Sequence, residues 1–345
     1  MVAGLRPALI VAAPGPAPAP AAADAAPAAP CLLVNPRSFR AARGLADRAI
    51  ALAHSRGAEV AAVEEAADVA AAVARIVARR QRHVAVLAGD GTVRELVEQL
   101  ARQPGGRFVP DLLVLPGGRT NLTAADLVPR RDALGTLTRA FDSIAAGRWD
   151  AAVEERALLC VAHDPAAPRF GFFFGGAAVD HIVRLAQDHR YGGSGALRSG
   201  HLSSPWVLTK LAARALVGRA DIPSPPLQIE ADGLGRLGGE IRLVLATTLQ
   251  HRRGAFDPYA ARGEGALRLT AATRGARRFW PSLPRLLTGR YSMAMNPENG
   301  YLSGRCERAR IVGLSGYVLD GERFETDPAR PVVLSAGPRL RFVTA

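Results

Sequence analysis

Residues 83–96 read HVAVLAGDGTVREL. The run from His83 to Ala88 is short, apolar and β-branched, the pattern of a strand buried on both faces. Gly89-Asp90-Gly91-Thr92 breaks it, and residues 93–100 resume at helical spacing, with Val93, Leu96, Val97 and Leu100 on one face. A strand, a tight glycine turn and a helix in that order aim free backbone N–H groups at a phosphate. The glycines admit a ligand where any side chain would block it. Thr92 is placed to cap the helix and to offer a hydroxyl. Asp-Gly and Gly-Thr are also ordinary turn chemistry, so this stretch takes its meaning from its neighbours.

Outward from it, the same grammar repeats. Cys31-Leu32-Leu33-Val34 reads as a buried strand followed by an Asn35-Pro36-Arg37-Ser38 turn. A helix is expected over 42–56, a strand over 59–63, a helix over 66–80, a strand over 111–115 and a helix over 134–146. Pro116-Gly117-Gly118-Arg119-Thr120-Asn121 follows the 111–115 strand, with another helix beginning near its end. Strands alternating with helices make a parallel α/β sheet. Ligands of such sheets sit outside the carboxyl ends of the strands. Asn35, Gly89 to Thr92, and Gly117 to Asn121 each follow a strand end, and should converge on one edge.

Beyond Trp149 the texture changes. Short β-type runs at 169–174, 240–248, 266–271, 310–314, 332–334 and 340–343, with frequent Gly and Pro, predict a mainly antiparallel second domain. Helical pieces are expected at 207–217 and 283–287. The division is an Ala/Pro-rich leader expected to be disordered over 1–30, an α/β domain over 31–148 and a β-rich domain over 149–345. The last strand is free to return to the first domain. For the first residues, the short Pro-interrupted apolar patch favours a leader or a mis-assigned start over a secretion signal.

The chain has 345 residues, 48% of them apolar, enough for real cores. Its formal net charge is +13, and Lys210 is the only lysine, so the positive charge is arginine, a planar fork for phosphates and carboxylates. That balance favours anionic partners. Three widely spaced cysteines with no C-x-x-C argue for a reducing compartment and against structural zinc. The histidines show no metal-ligand spacing, and no apolar run reaches the length of a membrane span.

NPRS at 35–38, AGDGTVREL at 88–96, LPGGRTN at 115–121 and DGE at 320–322 occur in that order. The set resembles the diacylglycerol kinase catalytic-domain family, which includes bacterial lipid kinases and sphingosine kinases. That family's pattern is roughly NPxSG, GGDGTxNE, PLGTxND and a late DGE. The resemblance spans about residues 31–345. It implies an N-terminal α/β domain with a parallel sheet, of the NAD kinase/diacylglycerol kinase type, followed by a mainly antiparallel β domain. It also implies an ATP-dependent kinase that phosphorylates a lipid hydroxyl with Mg²⁺, cytoplasmic and peripheral on an anionic membrane.

By match, Gly89, Asp90, Gly91 and Thr92 cradle the ATP phosphates. Asn35, Pro36, Arg37 and Ser38 line the nucleotide site, and Gly118, Arg119, Thr120 and Asn121 close it. Glu95 matches the family's glutamate on the following helix. Glu322 is the expected general base, with Asp320 beside it. A carboxylate within hydrogen-bond reach can take the proton of an alcohol as it attacks. Asp180 is expected to hold the lipid head group, and Glu264, in an Arg262-Gly263-Glu264-Gly265 segment like the family's DDG, is a candidate magnesium ligand. Departures are Ala88 for the first glycine of GGDGT, Phe39 for the glycine closing NPxSG, Arg119 for a phosphate-contacting threonine, and Leu122 for the Asp of the ND pair.

Two stretches, 184–219 and 274–291, interleave arginine with Trp and Leu, as in Arg184, Arg190 and Trp206 or Arg277, Trp280 and Arg285. That mixture suits an anionic bilayer, although a charge run is also what a solvated helix face carries. Other readings are a non-catalytic lipid- or nucleotide-binding relative and an NAD kinase-like small-molecule kinase. A nucleic-acid partner has only charge in its favour, a serine hydrolase lacks its G-x-S-x-G, and a homodimer stays open.

Overall fold

The computed structural model describes residues 28–103, 108–118, 121–127, 132–180, 224–250 and 257–344. In chain order its elements are β1 (Cys31–Val34), α1 (Leu45–Ser55), β2 (Glu59–Ala62), α2 (Ala66–Ala78), β3 (His83–Ala88), α3 (Asp90–Ala101), β4 (Asp111–Pro116), α4 (Leu122–Leu127) and α5 (Ala133–Ala145). Then come β5 (Val153–His163), β6 (Ala166–Gly171), β7 (Phe173–Ala177), β8 (Pro226–Ala231), β9 (Gly235–Thr247) and β10 (Leu267–Thr273). The chain closes with α6 (Phe279–Leu287), β11 (Tyr301–Cys306), β12 (Arg308–Val312), β13 (Gly316–Leu319), β14 (Glu322–Glu325) and β15 (Val332–Val343).

Strands β2, β1, β3 and β4 lie side by side in that order, all parallel. Every residue of β1 and β4 is buried, as continuous apolar runs require when helices cover both faces of a sheet. The helix expected over 42–56 starts later, at Leu45. A 3₁₀ turn over Ala41–Arg43 precedes it, because Gly44 at φ 81° is left-handed and interrupts the spiral.

The β-rich part is antiparallel, with β9 pairing β7, β8 and β10, and β12 pairing β8 and β15. The runs at 332–334 and 340–343 are one strand, with the register of β15 shifting around Gly337-Pro338. Its far end pairs in parallel with β4 through Arg341 and Phe342. Arg341 Nε also meets the buried Asp111 carboxylate at 2.9 Å. The last strand therefore joins both sets of strands into one sheet, and Leu340 and Phe342 are part of the core beneath the parallel strands.

The expected 207–217 helix, the basic 184–219 stretch and residues 1–27 lie outside the described residues. All three cysteines are free. Among the described residues no helix is long and apolar enough to cross a membrane.

Candidate active site

The three strand ends converge as parallel topology requires. Asn35 follows β1, and its backbone N–H donates to the Leu87 carbonyl at 3.0 Å. Its side-chain amide donates to the Thr92 hydroxyl at 2.9 Å. Ser38 Oγ accepts from the Gly89 N–H at 3.0 Å. The NPRS turn is thus stitched to the first turn of α3 at two points.

That helix begins at Asp90, so the GDGT stretch is helix from its second residue. Gly89 is the N-cap and no side chain caps it. Thr92 is therefore not the cap; it sits inside the first turn with its hydroxyl engaged by Asn35. By helix geometry the first-turn N–H groups lack intrahelical acceptors, and with the helix dipole they form an anion site.

The β4 turn closes against this one, backbone on backbone. A Cβ on Gly118 would lie 2.7 Å from Gly89 Cα. The Gly118 N–H donates to Asn121 Oδ1 at 2.7 Å, and Asn121 Nδ2 donates back to the Gly118 carbonyl at 2.9 Å. This clasp holds Asn121 left-handed, at φ 53°, a conformation asparagine tolerates better than most residues. Arg119 and Thr120 lie outside the described residues.

The fourth motif arrives from far along the chain. Strands β13 and β14 form a hairpin whose turn is Asp320-Gly321. The hairpin reading of DGE holds, and the turn brings Glu322 to the GDGT helix. Arg94 Nη2 donates to Glu322 Oε2 at 2.6 Å across 228 residues of sequence, and a Cβ on Gly91 would lie 3.5 Å from Glu322 Oε1. Glu322 keeps 48% of its side chain exposed while Arg94 keeps 5%. The carboxylate is pinned on one side and open on the other.

Arg94 is the functional candidate that sequence reading missed. Besides Glu322 it donates to Glu95 at 3.2 Å and to the buried Glu98. Glu98 is also met by Arg102, and by Arg169 at 3.4 Å. Three guanidinium groups thus offset three carboxylates where α3, β6 and β14 meet. The signal was in the motif itself: VRE at 93–95 has arginine where the GGDGTxNE pattern has asparagine.

Asp320, expected beside Glu322 as a catalytic residue, is held by the backbone of another strand. Its two carboxylate oxygens each accept a backbone N–H, from Phe172 and Phe173, at 2.9 Å. A Cβ on Gly171 would stand 2.4 Å from one of those oxygens, so only glycine leaves room there. Burial, and secondarily the charge of Asp90, push its pKa from 3.8 up to about 7, against the two amides and Arg94. Asp320 anchors the hairpin turn to the β6–β7 junction.

Asp180 lands near the hairpin but on its other face. Successive residues of a strand point to opposite sides. Glu322 bonds Arg94, and the Phe324 ring lies under the Arg94 guanidinium at 5.7 Å. Arg323, between them, bonds Asp180 at 2.7 Å and Glu325 at 3.0 Å. The Asp180 carboxylate, expected to hold a head group, is thus paired with Arg323 through Oδ1.

Glu95 is likewise occupied, by Arg94 and by Gln99 at 2.8 Å. Arg37 turns outward to Glu64 at 2.5 Å, and Pro36 shapes the turn between them. Glu264 is exposed, beside the isolated bridge from Gly263 to Arg305, and is not brought to the others. Among the described residues no group of three His, Cys, Asp or Glu side chains could hold a metal by itself. A divalent ion here would need phosphate oxygens to complete its shell, the usual arrangement for Mg²⁺.

No curated protein matches the chain. Residues 30–152 match the family described as the diacylglycerol kinase catalytic domain. Among solved structures, a diacylglycerol kinase from Bacillus anthracis str. Sterne is similar, at 15% identity and a TM-score of 0.57, covering 92% of this chain and 97% of that one. Two further structures from the same organism, each described as a candidate diacylglycerol kinase, superpose at TM-scores of 0.64 and 0.63. They are 15% and 14% identical, with the same coverage of both chains. Residues 30–152 thus carry the diacylglycerol kinase catalytic-domain match, and the chain as a whole has the two-part fold of its bacterial structural relatives.

Proposed function

We propose that this protein is an ATP-dependent lipid kinase, and that Glu322 is the base that accepts the acceptor alcohol's proton. One observation carries the reading: the only late carboxylate of the motif set that is not tied up by backbone amides sits on the glycine turn at the start of α3. In the step proposed, the lipid hydroxyl oxygen attacks the γ-phosphorus of ATP. Its proton passes to Glu322, the bond from the γ-phosphorus to the bridging oxygen breaks, and ADP leaves with that electron pair. The N–H groups at the start of α3 hold the phosphates. Asn35 and Ser38 keep that helix end in register with the β1 turn.

The shell of a Mg²⁺ ion would be completed by phosphate oxygens here, since Asp320 already accepts two backbone amides. Asp90 and Asp320 are close enough for one charge to raise the other's pKa, a repulsion that a cation relieves. Asp90 would hold the ion together with phosphate oxygens, and when bound it offsets phosphate charge.

The test is transfer of labelled phosphate from ATP, with Mg²⁺, to a panel of lipid alcohols in anionic micelles. Label is expected in one lipid class. Glu322→Gln should lower the rate by about 10²–10⁴-fold, with ATP affinity kept. Label in NAD instead of a lipid would overturn the lipid acceptor. ATP binding without transfer to any acceptor would leave a nucleotide-binding relative and overturn catalysis.

A further inference from the structure

The segment from Arg274 to Pro297 carries Arg274, Arg277, Arg278, Arg285 and Arg290 and no Asp or Glu. Helix α6 lies within it. Phe279 and Leu286 are buried, and Leu283 and Leu287 pack against the same core. The opposite stripe, Trp280, Pro281, Pro284, Arg285 and Thr288, is exposed. Large apolar side chains exposed among the described residues are Val109, Trp280 at 47% and Met293 at 93%, and two of the three fall in this acid-free segment. Arg277, Arg278, Arg285 and Arg290 are exposed and form no ion pair with a described residue. Arg242 lies over the rings of both Phe279 and Trp280, at 4.7 and 5.3 Å, adding a further cation to the aromatic edge.

We infer that this face of α6, with the Met293 loop beside it, docks on an anionic lipid bilayer. Arginines that lack protein carboxylates are satisfied by lipid phosphates. A tryptophan half out of a protein surface suits the head-group level, where its ring is buried and its N–H stays wet. Met293 supplies a flexible apolar tip. Two prolines on the exposed stripe stiffen the docking edge, and Pro284 leaves the Trp280 carbonyl without an intrahelical donor. The buried side of α6 shares its core with Phe173 and Val179. Phe173 donates one of the two amides that hold Asp320 in the hairpin turn, so the helix and the strand that anchors the hairpin border the same hydrophobic cluster. The surface stands on its own residues; only its purpose, presenting the site to a lipid acceptor, rests on the kinase reading above.

The test needs no catalysis. The full chain is sedimented with vesicles of phosphatidylcholine alone and of phosphatidylcholine with phosphatidylglycerol. Binding is expected to the anionic vesicles only, weakening with salt. Arg277→Glu with Arg285→Glu, and Trp280→Ala with Met293→Ala, should each weaken it at least about tenfold, with unchanged Tm. In a Trp206→Phe background, brominated lipids should quench Trp280. Wild type that ignores anionic vesicles, variants that bind as wild type does, or fluorescence unmoved by brominated lipid would each overturn the proposal. So would preferential release by short duplex DNA, which would give the face to nucleic acid.

Discussion

Arg94 and Arg285 both sit on helices of this arginine-rich chain, under opposite conditions. Arg94 on α3 is almost wholly buried, and carboxylates from its own helix and from β14 surround it. Arg285 on α6 is exposed in a segment without a single acid. The buried guanidinium is spent inside the molecule, fixing where Glu322 stands. The exposed one has its charge available to something outside. Net charge alone gives both the same weight; burial and partners separate them.

Removing Arg94 breaks the comparison most severely. Arg94→Met leaves Glu98 buried with two of its three cations and Glu322 unpinned. Loss of one partner from a buried ion pair costs on the order of 3–5 kcal/mol, read as a lowered denaturation midpoint. Arg285→Met should leave that midpoint within about 0.5 kcal/mol of wild type.

Next comes the backbone contact between the two glycine turns. Gly118→Ala puts a Cβ 2.7 Å from Gly89 Cα, an overpacking worth about 1–3 kcal/mol. Calorimetry should show weaker ATP binding as the turn at Gly89 is pushed away.

The third effect concerns pH. Because the Asp320 pKa is raised to about 7, the folded protein keeps a proton that the unfolded chain loses near pH 4. This group's contribution to stability is therefore greatest at low pH and falls as pH rises from about 4 to 7. The Tm of wild type should drop relative to that of Asp320→Asn between pH 5 and pH 8. A parallel pair of curves would show that Asp320 is charged throughout.

Local signals are legible in the sequence where their causes are local. β1, β3 and β4 are visible as apolar runs bounded by turn residues, and the convergence of Asn35, Gly89 and Gly118 follows from parallel topology. The helix start does not follow. Thr92 has the side chain of a cap, but Ser38, a residue 51 positions from Gly89, takes the Gly89 N–H and lets the spiral begin at Asp90. The role of Asp320 needs Phe172 and Phe173 from another strand, and the fate of Asp180 needs the alternation of β14. Such facts belong to side-chain pairs far apart in the chain, which periodicity does not report.

The most direct measurement is a double-mutant cycle between Arg94 and Glu322, read as the rate of phosphate transfer from ATP under conditions where every variant is folded. If Arg94 works by holding Glu322, Arg94→Met slows wild type but adds little to Glu322→Gln, a coupling of about 1–3 kcal/mol. Losses that simply multiply, with coupling near zero, would mean that Glu322 is placed without Arg94, contradicting a positioning role for the contact between α3 and the β13–β14 hairpin.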